Sequence, residues 1–415
     1  MTLRLITAGE SHGPGLTCLV EGLPAGLPLR QDELDIDMSR RQLGHGRGGR
    51  MKIEKDKAMV TAGVRHGLTL GGPIALQVEN RDYANWEERM SPWPLQNGAE
   101  IAEVHLPRPG HADLVGTQKY KQNDVRNILE RASARETAAR VAGGALCKAF
   151  LAALGVQVRS HVIQIASVHA PGGAPASDST EDEANASAED DRATTAASRP
   201  LSLADFEHVD ESPVRCLDES AGRAMVAEIN TLRKANESLG GVFEVQAFGL
   251  VPGLGSHVSW EERLDGRLAM AILSIQAMKG VSVGDGFHIA GVPGSQAHDE
   301  IFYSPERGYY RETNRSGGLE GGMTTGQPLI VRGAMKPLPT LTKPLRSVDI
   351  ATHESGEALR ERTDSCTVPA AGVVGEAMVA LVLAGAYREK FGGDHIDDVR
   401  QAVGAYCERI GWPSP

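Results

Sequence analysis

The stretch Gly44-His45-Gly46-Arg47-Gly48-Gly49, continued by Arg50-Met51-Lys52-Ile53-Glu54, decides the fold class. Its first six residues satisfy G-x-G-x-x-G, the fingerprint of a dinucleotide-binding unit, which requires a helix directly after the glycines. Here the continuation alternates polar and apolar residues as a strand does, so a Rossmann site is rejected. What remains is a loop carrying Arg41, Arg47 and Arg50, whose planar guanidinium groups suit carboxylates and phosphates. A solvated arginine-glycine loop is the plain alternative.

Outward from that loop, Leu3 to Thr7 and Leu16 to Glu21 read as strands around a Gly-Glu-Ser-His-Gly turn, and Lys52 to Val64 and Ile74 to Val78 as further strands. One long helix is expected from Val125 to Leu154, stopped by Gly155, followed by a strand from Val156 to Ser167. Two helices, Glu219 to Leu239 and Arg263 to Met278, each run through glycine into a strand, Val242 to Leu250 and Val281 to Ile289, which hints at an internal repeat. Gly308 to Gly326 reads as a glycine-rich loop, Pro328 to Met335 as a strand, and Pro369 to Phe391 as a helix closed by Gly392-Gly393. Helices and strands mix without regular βα alternation, so the chain reads as α+β.

Composition narrows the function. Aromatic residues make up only 4% of the 415, while Gly supplies 48, well above ordinary usage, which marks tight turns and close backbone approaches. Net charge is −11. Seven acids between Ser177 and Asp191 account for much of it, and setting them aside leaves −4. The 170–200 region of Ala, Ser, Thr, Pro and acid cannot bury enough apolar surface to order itself, and is expected to be a surface insertion in a single domain spanning 1–415. Arginines cluster elsewhere, at 40, 41, 47 and 50, at 108, and at 131, 135 and 140. A nearly neutral body with local arginine clusters suits a compact anionic ligand, not a nucleic acid, which calls for a basic stripe and stacking aromatics. Five scattered cysteines without a C-x-x-C suggest neither disulfides nor a metal site. Met1 to Gly9 lacks the pattern of a signal peptide. Val368 to Tyr387 is apolar, but Glu376 at its centre favours a buried core helix over a membrane span.

Gly9-Glu10-Ser11-His12-Gly13 fits the G-x-S-x-G nucleophile elbow of hydrolases, yet it lies at residue 11 with no oxyanion-loop motif before it, so that reading is weak. Glu130-Arg131-Ala132-Ser133-Ala134-Arg135-Glu136-Thr137 places Arg131 and Arg135 four apart, on one face of the expected helix. Arg108-Pro109-Gly110-His111-Ala112-Asp113 fixes a loop bearing a histidine, Lys336-Pro337-Leu338-Pro339-Thr340 is a rigid loop with a cation and a hydroxyl, and Arg362-Thr363-Asp364-Ser365-Cys366 precedes a helix N-terminus, which favours anions.

Taken in order, these motifs, together with Ile-Gln-Ala-Met-Lys-Gly-Val at 275–281 and Gly-Gly-Leu-Glu-Gly-Gly at 317–322, resemble the chorismate synthase family over about residues 3 to 395. The resemblance implies that family's β-α-β sandwich with internal pseudo-symmetry, and a lyase that converts 5-enolpyruvylshikimate-3-phosphate to chorismate and phosphate by trans-1,4 elimination. It further implies reduced FMN (FMNH2) bound beside the substrate, a cytoplasmic homotetramer, NADPH or a separate flavin reductase as the source of electrons, and no nucleic-acid or membrane partner. His12 then matches the acid for the departing phosphate, His111 the group serving the flavin, and Asp364 the carboxylate that, with flavin N5, helps remove the ring proton. FMN contacts would fall at Arg131, Ala132, Ser133, Gln276, Ala277, Gly321, Lys336, Pro337, Leu338, Pro339, Thr340 and Arg362. Arg41 and Arg47 match positions assigned to NADPH or the substrate's anions, with Arg108 and Arg135 completing the anion cradle. Leu338-Pro339 departs from the family, which has hydroxyls in this loop.

Overall fold

The computed structural model describes residues 3–48, 55–95, 100–171, 200–343, 345–359 and 364–413. The start of the expected strand at Lys52, Arg50, Arg362 and nearly all of the 170–200 insertion lie outside the described residues.

Strands β1 (Arg4–Ala8) and β2 (Gly15–Glu21) pair antiparallel around the Gly9–Pro14 turn. Gly9 has φ +112°, and a Cβ there would lie 2.4 Å from the Gly15 carbonyl oxygen, so only glycine closes this turn. Leu16, Cys18 and Val20 alternate inward along β2. Helix α1 (Gln31–Gln42), β3 (Met59–Ala62) and β4 (Ile74–Glu79) follow, giving a four-stranded antiparallel sheet in the order β1-β2-β4-β3.

The helix expected over 125–154 is broken. Short α2 (Asp113–Tyr120) and α3 (Arg126–Ala132) precede Ser133, which turns extended at φ −64°, ψ 142°; its hydroxyl accepts the Arg135 N–H and starts a 3-10 turn that leads into α4 (Thr137–Ala152). A serine satisfies such a helix start better than it sits in a helix interior. In consequence Arg131 and Arg135 do not share a face. Arg131 reaches back to the Thr7 and Gly9 carbonyls, and Arg135 is buried against Asp56.

A second antiparallel sheet holds β5 (Gln157–Ile165), β6 (Val168–His169), β7 (Gly241–Phe248), β8 (Met278–Val283) and β9 (Leu329–Met335) in the order β8-β9-β7-β5-β6. Helices α5 (Glu219–Lys234) and α6 (Leu264–Leu273) both end earlier than expected. After α6 the chain turns at Ala277, whose φ is +67°, not at Gly280. The glycine-rich 308–326 segment contains short hairpin strands at Gly308–Tyr310, Leu319–Glu320 and Met323–Thr324.

Helix α7 (Val368–Phe391) is apolar all round, and a helix of that kind must be enclosed. Its N-terminal Pro369 and terminal Gly392 (φ +61°) bound it as expected. Although long and apolar enough to cross a membrane, it lies in the core. Glycines let the layers close. A Cβ on Gly143 of α4 would strike Leu5 and Cys18 of the first sheet, one on Gly144 would lie 2.3 Å from the Ala377 Cβ of α7, and one on Gly375 of α7 would lie 2.6 Å from the Phe243 ring of the second sheet. The order sheet, α4, α7, sheet is the expected β-α-β sandwich. Helix α8 (Ile396–Ile410), absent from the sequence reading, closes one end.

Candidate active site

Loops from both layers open onto one cavity of about 740 Å3. The β1–β2 turn brings Ser11 and His12, α1 and the loop after it Arg41 and Arg47, and the Pro-Gly loop Arg108, Gly110 and His111. The break between α3 and α4 brings Ala132 to Arg135, the α6–β8 connection Ile275 to Lys279, the loop after β9 Lys336, Leu338, Pro339 and Thr340, and the approach to α7 Asp364. The three expected catalytic groups, His12, His111 and Asp364, therefore share one hollow.

His12 is held from two sides. Its ring stacks on Trp86 at 4.0 Å between centroids, and Trp86 in turn carries the guanidinium groups of Arg126 and Arg89 at 5.0 and 5.4 Å. Its Nδ1 lies 2.9 Å from Glu130 Oε1, while Glu130 Oε2 accepts the His12 backbone N–H at 2.8 Å. Burial pushes the Glu130 carboxyl up, but its bonds with His12 and the charge of Arg126 outweigh this and hold it below the ordinary range. His111 has a matching arrangement, with Nδ1 against the Asp113 carboxylate, which also accepts from Arg108 Nε at 2.8 Å.

Asp364 accepts the Gly48 N–H and lies 3.1 Å from Arg47 Nη1, pinning the glycine loop over the cavity. Arg41 and Arg135 share one buried carboxylate, Asp56, at 2.6 and 2.7 Å. Burial pulls Arg41 down to about 10, partly offset by Asp56, which leaves it a cation at neutral pH. Among the described residues, eight Arg and Lys side chains line the cavity against two carboxylates, Asp82 and Asp364. That surplus, beside the apolar wall of Ile275, Met278, Met335, Leu338 and Val374, suits a planar ligand with anionic ends.

The residues fit a flavin. Gln276 donates through Nε2 to Glu136 at 3.1 Å, and its buried Oε1 has no hydrogen-bond partner among the described residues, so it can accept a ring N–H. Ala277 holds a left-handed backbone beside it, the kind of strained conformation that collects at ligand sites. Burial and the neighbouring Lys279 lower Lys336, which donates to the Gly110 carbonyl, and Thr340 accepts from Arg108 at 3.2 Å. Leu338 belongs to the apolar wall, and its carbonyl, accepting from Ser238 at 2.7 Å, anchors the loop.

Not every expected residue arrives. Arg131 and Pro337 do not line the cavity, Gly321 sits in the turn between the Leu319–Glu320 and Met323–Thr324 strands away from it, and Arg362 is outside the described residues. Others were missed. Trp86, Arg89 and Arg126 line the cavity, and Glu130, Asp113 and Asp56 stand behind its wall. The one available signal was the Arg126–Glu130 spacing of four, which permits the 2.9 Å pair observed.

The family model described as chorismate synthase matches residues 3–387. The chain is 52% identical over 408 residues to the chorismate synthase of Moorella thermoacetica, covering 98% of this chain and 99% of that one. It is 50% identical over 405 residues to the chorismate synthase of Bacillus subtilis, covering 97% of each. A crystal structure of chorismate synthase superposes with a TM-score of 0.75 at 40% identity, covering 99% of this chain and 98% of that one.

Proposed function

The chain belongs to the chorismate synthase family, and on that premise we propose that its cavity is where substrate and flavin meet. The reaction is that of the family: a lyase converts 5-enolpyruvylshikimate-3-phosphate to chorismate and phosphate by trans-1,4 elimination, a step of aromatic amino-acid biosynthesis, with dependence on a reduced flavin. The finer assignments here are FMN as that flavin, NADPH or a separate reductase as its electron source, and a cytoplasmic homotetramer without nucleic-acid or membrane partners. Strongly exposed aromatic residues such as Trp260 and Phe287 support self-association.

The substrate carries a phosphate and two carboxylates, and the cationic wall of Arg41, Arg47, Arg126 and Arg135 answers that charge. The allylic C–O bond breaks as phosphate leaves and a ring C–H bond breaks at a distance; a reduced flavin, when bound, would supply electron density for the first event and take it back at the second. His12 delivers a proton to the departing phosphate, its Nδ1 side being occupied by Glu130. His111 would hydrogen-bond the flavin or share a proton with it. Asp364 helps receive the ring proton, while Arg47 and the Gly48 N–H keep it aimed. Ser133, Gln276, Ala277 and the Lys336–Thr340 loop would hold the flavin, with Ala132 beside them in the wall.

The observation that carries this reading is the convergence of residues 12, 111 and 364 on one cavity. It is tested anaerobically by mixing protein, substrate and dithionite-reduced FMN, with reduced FAD in parallel, and measuring chorismate and phosphate. Product is expected with reduced FMN. Absence of product with either flavin sinks the reading, and a preference for FAD sinks the FMN assignment alone.

A further inference from the structure

We propose that Asp113 is a positioning residue that fixes which ring nitrogen of His111 carries the proton, and that Arg108 serves as its clamp. The inference rests on the reading that His111 serves the flavin. Asp113 opens helix α2 and its side chain is fully buried. Its Oδ2 accepts two hydrogen bonds from Arg108, from the backbone N–H at 3.0 Å and from Nε at 2.8 Å, so that position must be an oxygen. The other oxygen, Oδ1, faces His111 Nδ1 and also lies 3.2 Å from Arg108 Nη2.

An ionised carboxylate only accepts. Burial pushes the Asp113 carboxyl up, yet its hydrogen bonds to His111 and Arg108 hold it well below the ordinary range, so it is ionised at any pH at which the protein works. Nδ1 of His111 must then carry the hydrogen, which leaves Nε2 as the atom that exchanges a proton in the cavity. The opposite tautomer would let Nδ1 accept from Arg108 Nη2 at 3.1 Å. It would also set two acceptors, Nδ1 and Oδ1, face to face across the shortest contact in the cluster. Arg108 holds the cluster further through Nη1, which donates to Thr340 Oγ1 at 3.2 Å. The clamp thereby ties the histidine loop to the loop after β9.

Asp113→Asn tests this with little change of shape. Both Arg108 N–H groups demand an acceptor, so the amide oxygen takes the Oδ2 place and the amide nitrogen faces His111 Nδ1. A donor there forces Nδ1 to accept and moves the proton to Nε2. The readout is the 15N spectrum of histidine-labelled full-length protein at a pH where His111 is neutral, with the His111 signals assigned by their loss in His111→Asn. Wild type should show the proton on Nδ1 and Asp113→Asn on Nε2. In anaerobic assays with reduced FMN, kcat of the variant should fall by on the order of 100-fold or more while KM stays within about threefold.

A proton that remains on Nδ1 in folded Asp113→Asn overturns the proposal. So does a wild-type spectrum with the proton on Nε2, which decides the matter even where the variant fails to fold. An inverted tautomer with undiminished kcat supports Asp113 as the fixing group and sinks the catalytic reading of His111 instead, so the two failures are told apart.

Discussion

Glu376→Gln removes the charge at the centre of the core helix α7, and the structure sets the size of the loss. Glu376 is fully buried and binds Arg40 through two bonds of 2.7 and 2.8 Å, Lys148 at 2.9 Å, Arg215 at 3.2 Å and the Ser160 hydroxyl at 2.7 Å. With Asp37 and Asp210 the cluster holds three cations and three carboxylates, so it is neutral. The substitution leaves one buried positive charge unmatched, and breaking a buried pair on one side costs roughly 3–5 kcal/mol. The lower end applies because every cation keeps another partner: Arg40 keeps Asp37 at 2.8 Å and Asp210 at 2.7 Å, Lys148 keeps Asp37 at 2.8 Å, and Arg215 keeps Asp210 and the Ser160 carbonyl. We expect about 3 kcal/mol, read as a drop in urea midpoint followed by tryptophan fluorescence at one fixed protein concentration. The pH dependence has a definite sign. Burial opposes ionisation of Glu376, but Arg40 and Lys148 together lower its carboxyl well below the ordinary 4.5. A lowered folded value means the stabilisation is present in full above about 4.5 and fades as pH falls through the folded value. The gap between wild type and variant should therefore be flat from pH 7 to 5 and narrow in acid. A loss under about 1 kcal/mol, or a gap that widens in acid, would refute the reasoning.

Other substitutions test separate parts. Gly144→Ala places a Cβ 2.3 Å from that of Ala377 and should cost roughly 1–3 kcal/mol in urea unfolding by forcing α4 and α7 apart; an unchanged midpoint would show that the two helices can slide. Asp56→Asn frees Arg41 and Arg135 from the carboxylate that aims both. It should lower kcat/KM on the order of 10- to 100-fold, and normal kinetics would mean the arginines aim themselves. Ala277→Gly relieves a left-handed backbone at φ +67° and should raise stability by about 1 kcal/mol; a loss of stability would mean that the Ala277 methyl is worth more in packing than its backbone costs.

What was legible in the sequence follows from which signals packing leaves visible. The strands alternate, and α7 shows as an apolar run because a helix enclosed on every side needs no polar face. Helix α1 is different. Its buried residues are Leu34, Asp37, Met38, Arg40 and Arg41, three of them charged, so the ionic partners that make burial tolerable also erase the apolar period. Helix α8 does carry the period, in Ile396, Val399, Val403 and Cys407, but its start is capped by His395, outside the usual Ser, Thr, Asp or Asn. The break at Ser133 was hidden by strong helix formers on either side, and it decides the site, because a continuous helix would carry Arg131 and Arg135 to one face. The motif residues of the cavity were readable as an ordered set, whereas the roles of Trp86, Asp56 and, beyond its spacing from Arg126, Glu130 were not, since they depend on partners as far as 118 residues away in the chain.

The buried carboxylates explain how an acidic protein keeps a site for anions. The chain carries −11, yet its cavity is lined by eight cations among the described residues. Left to themselves, so many like charges would repel, and their long side chains would have to be ordered by each incoming ligand. Instead Asp56, Asp113 and Glu130 lie behind the wall with almost no solvent exposure, and each binds at least one of those arginines through its far side. With Asp82 and Asp364 counted as well, three positive charges among the described residues remain uncompensated, enough to attract a phosphate and carboxylates without full self-repulsion. The ordering cost is met during folding, so the guanidinium groups are already aimed when charge develops on the departing phosphate, the condition under which fixed dipoles and charges stabilise a transition state most. Long, flexible arginines can thus form a rigid site because Arg41, Arg108, Arg126 and Arg135 are each tied to a carboxylate behind the wall.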